Sequence, residues 1–416
     1  MRTRRLFAAL AGAALALPTS AATAGAAEGA SAAATPRHVP CPAIAVPAGA
    51  RAARPKPPAP DQQQREVGGA ELASAGLTIP AGAPVPAKLT ATSWLVADLG
   101  SGAVLGACGA HEYATPASVQ KLLLAATYMP KLDPARMVEV THADMDYEPG
   151  SSAVGLVEGS QYSIKTLWLS LLLKSGNDAA NVLARVGGGT SDFRAGVEAM
   201  NAEARRLGAH QTHAVTPSGL DGPGQFTSAY DMALIARACY ARADFRRYTA
   251  TDTALIPPQR NGAGGFQLNN DNGLLHRYPG MLGGKTGFTD LAGQTYVGVA
   301  ERNGRRLVVT LLGAESAPIG SYGEVTTLMD WGFALPGDVS VGQLIEPENA
   351  DASPGAQLTP VAGPAPGESE TSTFSAKRIV LTAGIATLLV ALVLLGWARR
   401  VRVRSAAGNR DQERED

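Results

Sequence analysis

Ser118-Val119-Gln120-Lys121 is the stretch on which the reading of this chain turns. On a helix, a spacing of three puts Ser118 and Lys121 on one face. A serine hydroxyl attacks carbonyls poorly until a neighbour accepts its proton. A lysine serves only if its amine is partly neutral, and burial or a second cation nearby brings that about. The start of a helix adds a positive dipole end that favours the developing anion. Leu122 to Ala126 is apolar, so the pair is expected at the buried end of a core helix. Alone, the motif is common by chance.

Two triplets follow in fixed order. Ser175-Gly176-Asn177 ends an apolar run, Leu167 to Leu173. A helix-end turn explains these residue types equally well. In a functional reading, the Ser175 hydroxyl passes a proton to a leaving amine and the Asn177 amide holds a substrate peptide group in register. Lys285-Thr286-Gly287 precedes Phe288-Thr289. Read blandly, it is a bulge or turn. Read functionally, it is an edge strand along which an extended substrate pairs, glycine allowing close backbone approach. Lys285 then supplies the second cation for Lys121, and the Thr286 hydroxyl binds a terminal carboxylate. The main-chain N–H groups of Ser118 and Phe288 form an oxyanion hole.

Around these motifs the pattern predicts one folded region over residues 86–335. Trp94 to Ala97 and Ala103 to Leu105 flank a Gly-Ser-Gly turn and predict a hairpin. Thr115 before Pro116 predicts a capped helix start. Helical spacing recurs at Ala179 to Ala184 and at Asn201 to Leu207. Ser228 to Asp231 resembles a capping box before Met232 to Tyr240. Thr295 to Ala300 and Leu307 to Leu312 flank Asn303-Gly304, a strong hairpin signal. A final helix is expected at about Glu324 to Phe333. Strands, helices, strands and a helix predict an α/β architecture: an antiparallel sheet built from both ends of the region, with a helical insertion.

Further out, the chain changes character. Residues 1–26 read as an export signal, with Arg2, Arg4 and Arg5 before the short apolar run Leu6 to Leu17 and an Ala24-Gly25-Ala26 cleavage site. Residues 27–85 and 336–376 are rich in Ala, Pro and Gly and read as a flexible spacer and a stalk. Ile379 to Ala398 is uncharged and long enough, at about 1.5 Å per residue, to cross a ~30 Å hydrocarbon core. The tail 399–416 opens with arginines, which favour the cytoplasmic side. The expected protein is thus a single-pass cell-membrane protein with its folded region outside the cytoplasm. Its 36 basic and 36 acidic residues balance, and no basic stripe suggests nucleic acid. The histidines show no metal spacing, and neither metal nor cofactor is expected. They read as surface or capping residues. Of three cysteines, Cys108 and Cys239 read as small buried hydrophobes, and the state of Cys41 stays open.

In that order and company, the three motifs resemble those of penicillin-binding proteins and serine β-lactamases. The wider sequence is similar to the D-alanyl-D-alanine carboxypeptidases, the low-molecular-weight penicillin-binding proteins of serine peptidase family S11. The likeness runs from about Trp94 to Phe333. It includes Ser175 to Ala180, Ser218-Gly219-Leu220-Asp221, Asn270-Asp271-Asn272, Lys285 to Asp290 and Asp330-Trp331-Gly332-Phe333. The resemblance implies a penicillin-binding-protein fold. It also implies that Ser118 attacks the bond between two D-alanines of a peptidoglycan stem peptide, with Lys121 as base, and that β-lactams acylate Ser118. The chain departs from some relatives in having Asp271 where they carry arginine and none from Gly320 to Glu324, so carboxylate binding falls to Lys285 and Thr286. No E-x-x-L-N pattern supplies the glutamate of a class A β-lactamase. Endopeptidase or transpeptidase activity stays open, as does weak β-lactamase activity; intact motifs argue against a non-catalytic binding module.

Overall fold

Trp94 and Val96 alternate with Leu95 and Ala97, and in the computed structural model that alternation sends them to opposite faces of one sheet. The structure describes residues 39–46, 56–259 and 264–347. Strands β2 (Ser93–Asp98) and β3 (Ala103–Cys108) form the expected hairpin. The later hairpin is β9 (Gly293–Arg302) and β10 (Arg305–Ala314), joined at Asn303-Gly304. The two hairpins meet because β2 pairs antiparallel with β10, Val96 opposite Val309. Both ends of the folded region therefore build one sheet, as the element order predicts.

Strand β8 (Met281–Thr289) lines the other side of β9 and forms the sheet's edge. At the opposite edge, β1 (Leu77–Thr78) and β11 (Gly342–Gln343) each pair with β3. Two small hairpins lie apart, β4 (Met137–Glu139) with β5 (Gln161–Ser163) and β6 (Thr253–Ile256) with β7 (Phe266–Asn269).

The insertion carries α2 (Lys121–Tyr128), α3 (Ile164–Lys174), α4 (Asn177–Gly188), α5 (Arg194–Arg206), α6 (Ala229–Ala241) and α7 (Ala243–Thr249). The short α1 (Gln62–Arg65) precedes the sheet. Leu95, Ala97, Val308 and Leu312 face the insertion's core. Trp94, Val96, Leu307 and Val309 face α8 (Gly320–Ala334), where Trp94 meets Trp331 edge-on at 6.1 Å. Three layers result, with the sheet in the middle. Ser228 caps α6 by accepting the Asp231 N–H at 3.1 Å, as its sequence signature predicts.

Four expectations need correction. The folded region is wider than 86–335. Leu72 is 1% exposed, β1 joins the sheet, and the Trp331 indole donates to Pro84 O at 2.7 Å. At the other end Leu344 is buried and β11 pairs with β3. These segments bury single leucines and dock by main-chain bonds, so no apolar period marks them. Second, Cys108 is not a lone hydrophobe: it forms a disulfide with Cys41, pinning residues 39–46 beside Leu89, while Cys239 is free and buried. Third, His111 is 2% exposed rather than on the surface, bonded to Gln211 and Val67 O, its ring centre 4.6 Å from that of Tyr230 at a 38° tilt. Fourth, Thr115 caps nothing. Ala117 takes φ 49°, and the chain enters α2 through a 3-10 turn over Ala117–Gln120. The segments expected as signal 1–26, transmembrane helix 379–398 and tail 399–416 lie outside the described residues. Among the described residues no helix is long and apolar enough to cross a membrane.

Candidate active site

The 3-10 turn before α2 delivers Ser118, and the first α-helical residue is Lys121. Lys121 Nζ lies 2.8 Å from Ser118 Oγ, 2.7 Å from Asn177 Oδ1 and 2.9 Å from Ser218 O. Two of these partners are obligate acceptors, and a neutral amine has two hydrogens to give them. Its lone pair is then left facing the Ser118 hydroxyl. Lys121 is fully buried, and burial first, then the Lys285 charge, holds its pKa well below that of an ordinary lysine. The geometry and the electrostatics both suit a general base.

The geometry rests on close packing around the nucleophile. A Cβ on Gly287 would stand 2.7 Å from Ser118 N and 2.4 Å from Thr295 Oγ1. Gly287 therefore does more than admit a substrate strand: it lets β8 approach the nucleophile's own turn. Thr295 in β9 donates to Pro116 O at 2.9 Å, tying that turn to the sheet. A Cβ on Gly219 would meet Ala117 O at 1.9 Å, so the 218–221 turn is pressed against the left-handed Ala117. Left-handed backbone at a residue with a Cβ is costly and persists where the surroundings impose it.

Ser118, Ser175, Asn177, Thr286, Gly287 and Phe288 all line one cleft of about 780 Å³. Ser175 closes α3 in a left-handed conformation, φ 60°, and its Oγ is buried without a hydrogen-bond partner. A hydroxyl so placed has capacity left for a reacting group. Asn177 is 2% exposed and braced by Ser151, whose Oγ accepts from Nδ2 at 2.9 Å. Lys285 is 3% exposed and donates to Thr286 O at 2.7 Å. Burial brings its pKa down to about 8. Phe288 is 64% exposed, turned into the cleft mouth.

The structure thus gathers all eight residues singled out in the sequence. Sequence reasoning assigned no part to Ser218, whose carbonyl completes the Lys121 site, nor to Ser151 and Thr295. Ser218 stood in a family-like run, Ser218 to Asp221; Ser151 and Thr295 carry no local signal. Asp221 accepts from Thr289 Oγ1 at 2.9 Å and so joins that turn to the end of β8. Asp271 pairs with Lys174 at 2.6 Å, and no arginine is found among the described residues lining the cleft. Among the described residues no cluster of His, Cys, Asp or Glu could hold a metal.

A buried lysine beside a serine at the start of a core helix, faced by an edge strand, defines a serine acyl-transfer enzyme of the penicillin-binding-protein fold. Residues 80–316 match the Peptidase_S11 family, D-alanyl-D-alanine carboxypeptidase, and the chain belongs to that family. It is 44% identical to D-alanyl-D-alanine carboxypeptidase DacB2 of Mycobacterium tuberculosis over 64% of this chain and 90% of the relative. It is 33% identical to DacD of Escherichia coli, spanning 64% of that protein's length and 60% of its own. Among solved structures it is similar to a D-alanyl-D-alanine carboxypeptidase from Mycobacterium tuberculosis, with TM-score 0.60, 41% identity and coverage of 64% of this chain and 99% of the other. It is also similar to the Streptomyces K15 DD-transpeptidase, with TM-score 0.58, 27% identity and coverage of 61% and 100%.

Proposed function

We propose that this chain is a serine-type D-alanyl-D-alanine carboxypeptidase that removes the terminal D-alanine of peptidoglycan stem peptides through an acyl-enzyme on Ser118. The observation that carries this is the 2.8 Å contact between Ser118 Oγ and a fully buried Lys121. Neutral Lys121 takes the Ser118 proton as Oγ adds to the penultimate D-alanine carbonyl. The oxyanion is met by the N–H groups of Ser118 and Phe288. The C–N bond then breaks, and the proton passes from Lys121 through the Ser175 hydroxyl to the departing amine. Water adds to the ester, returns a proton to Ser118 and releases the shortened peptide. Lys285 and Thr286 bind the substrate carboxylate, and Asn177 holds the peptide in register along Lys285 to Phe288. A β-lactam enters the same cycle and stays as a slowly released acyl group.

We further infer that the reaction takes place outside the cytoplasm, with the chain held by a membrane anchor at 379–398. The export signal and apolar run support this reading, as does the Cys41–Cys108 disulfide, a bond typical of oxidising compartments. Because the acyl-enzyme is common to hydrolysis and transfer, amine acceptors compete with water where the cleft admits them.

The direct test is release of free D-alanine from a peptide ending in D-Ala-D-Ala, by wild type and by Ser118→Ala. Release by wild type alone is expected. Equal release by the variant would remove Ser118 from the mechanism.

A further inference from the structure

Asp178 follows Asn177 in the first turn of α4 and is completely buried. Its carboxylate accepts four main-chain N–H groups: Val154 at 3.2 and 3.1 Å, Gly155 at 2.9 Å, Leu156 at 2.9 Å and Ala179 at 2.8 Å. The helix start adds a favourable dipole. The first three donors lie just past Glu148 to Ser152, which form one wall of the cleft. That wall is stitched to α4 twice more, by Asn177 N–H to Ser152 O at 2.9 Å and by Asn177 Nδ2 to Ser151 Oγ at 2.9 Å. One buried carboxylate thus joins a cleft wall to the helix whose Asn177 touches Lys121.

We propose that Asp178 is a positioning residue for the acyl-transfer base: its carboxylate clamps residues 154–156 to α4 and supplies the negative charge that stabilises Lys121 as it receives the Ser118 proton. The proposal rests on Lys121 acting as base.

Five neighbours surround Lys121: Ser118 from its own turn, Asn177 and Asp178 from α4, the Ser218 carbonyl, and Lys285 from β8. Two of them are charged. Lys285 and burial both lower the Lys121 pKa, and Asp178 raises it. Burial and like charge alone would leave a neutral amine that is a feeble base. A base must also hold the proton once it arrives, so catalysis needs a compromise between the two. Asp178 provides the opposing charge without touching Ser118, and its four N–H donors fix where that charge sits.

The test is the rate of acylation of the full chain by a fluorescent penicillin between about pH 6 and 10, for wild type and Asp178→Asn. The rising limb should move to lower pH in the variant, while the limiting rate falls. A merely structural loss would lower the rate and leave the limb in place, and that result overturns the proposal. A wild-type rate flat in pH would refute the lysine base itself, and the proposal with it. Amide exchange in the wild type covers the case in which the variant does not fold. The N–H groups of Val154, Gly155 and Leu156 lie outside any helix or strand, and slow exchange there is expected from the clamp. Fast exchange at all three would overturn it.

Discussion

Lys121 and Lys285 are both buried lysines, yet the reaction asks opposite things of them. Lys121 must be neutral to take a proton, and Lys285 must be charged to hold a carboxylate. The Lys121 pKa is depressed by burial and by Lys285; burial brings that of Lys285 down to about 8. Activity therefore rises with pH as Lys121 loses its proton and falls as Lys285 does. A bell-shaped kcat/KM for D-alanine release is expected, its descending limb near pH 8. A plateau persisting well above that pH would show that Lys285 is not needed as a cation. The eight candidate residues were legible because each belongs to a short run of fixed order. Ser218 was not, because its contribution is a main-chain carbonyl, which any residue type carries.

The elements that were legible are those with a period. The two hairpins and most helices of the insertion follow from alternation, helical spacing or turn residues; the edge strand is read from the Lys285-Thr286-Gly287 motif, and the short α7 is not anticipated. The segments 56–85 and 339–345 follow from none of these. They add to the sheet by main-chain pairing at β1 and β11, and such pairing leaves little trace in side-chain pattern. A third such segment, residues 39–46, is tied to β3 by the Cys41–Cys108 bridge. The bridge closes a loop across a sequence separation of 67 residues, for which loop-closure entropy predicts about 4 kcal/mol. Cys108→Ser should lower the melting temperature and hasten proteolysis before Leu77. Penicillin acylation at 25 °C should stay near wild type, because β3 lies at the opposite side of the sheet from β8. An unchanged melting temperature would show that the strap adds nothing to stability.

For the molecule as a whole, acid stability depends on groups outside the cleft. Burial lowers the His111 pKa from 6.5 to about 4. A base whose folded pKa is depressed binds fewer protons in the folded than in the unfolded state. Its contribution is intact above pH 6.5 and is lost as pH falls toward 4, by roughly 3 kcal/mol. Asp231, raised by burial to about 7, acts in the opposite sense over the same range. The informative quantity is therefore the difference between wild type and His111→Asn. Unfolding free energies should show the wild type losing ground to the variant as pH drops from 7 to 4, and parallel curves would exclude His111 as the acid-sensitive group. The sheet, the insertion and the edge strand together serve one arrangement, a serine turn held against a buried lysine. The most direct test of that arrangement is the site of covalent attachment after brief exposure to benzylpenicillin, mapped by peptide mass spectrometry. The account predicts one acyl group, on Ser118, and none in Lys121→Ala over the same interval; attachment at another residue, or undiminished labelling without Lys121, would contradict it.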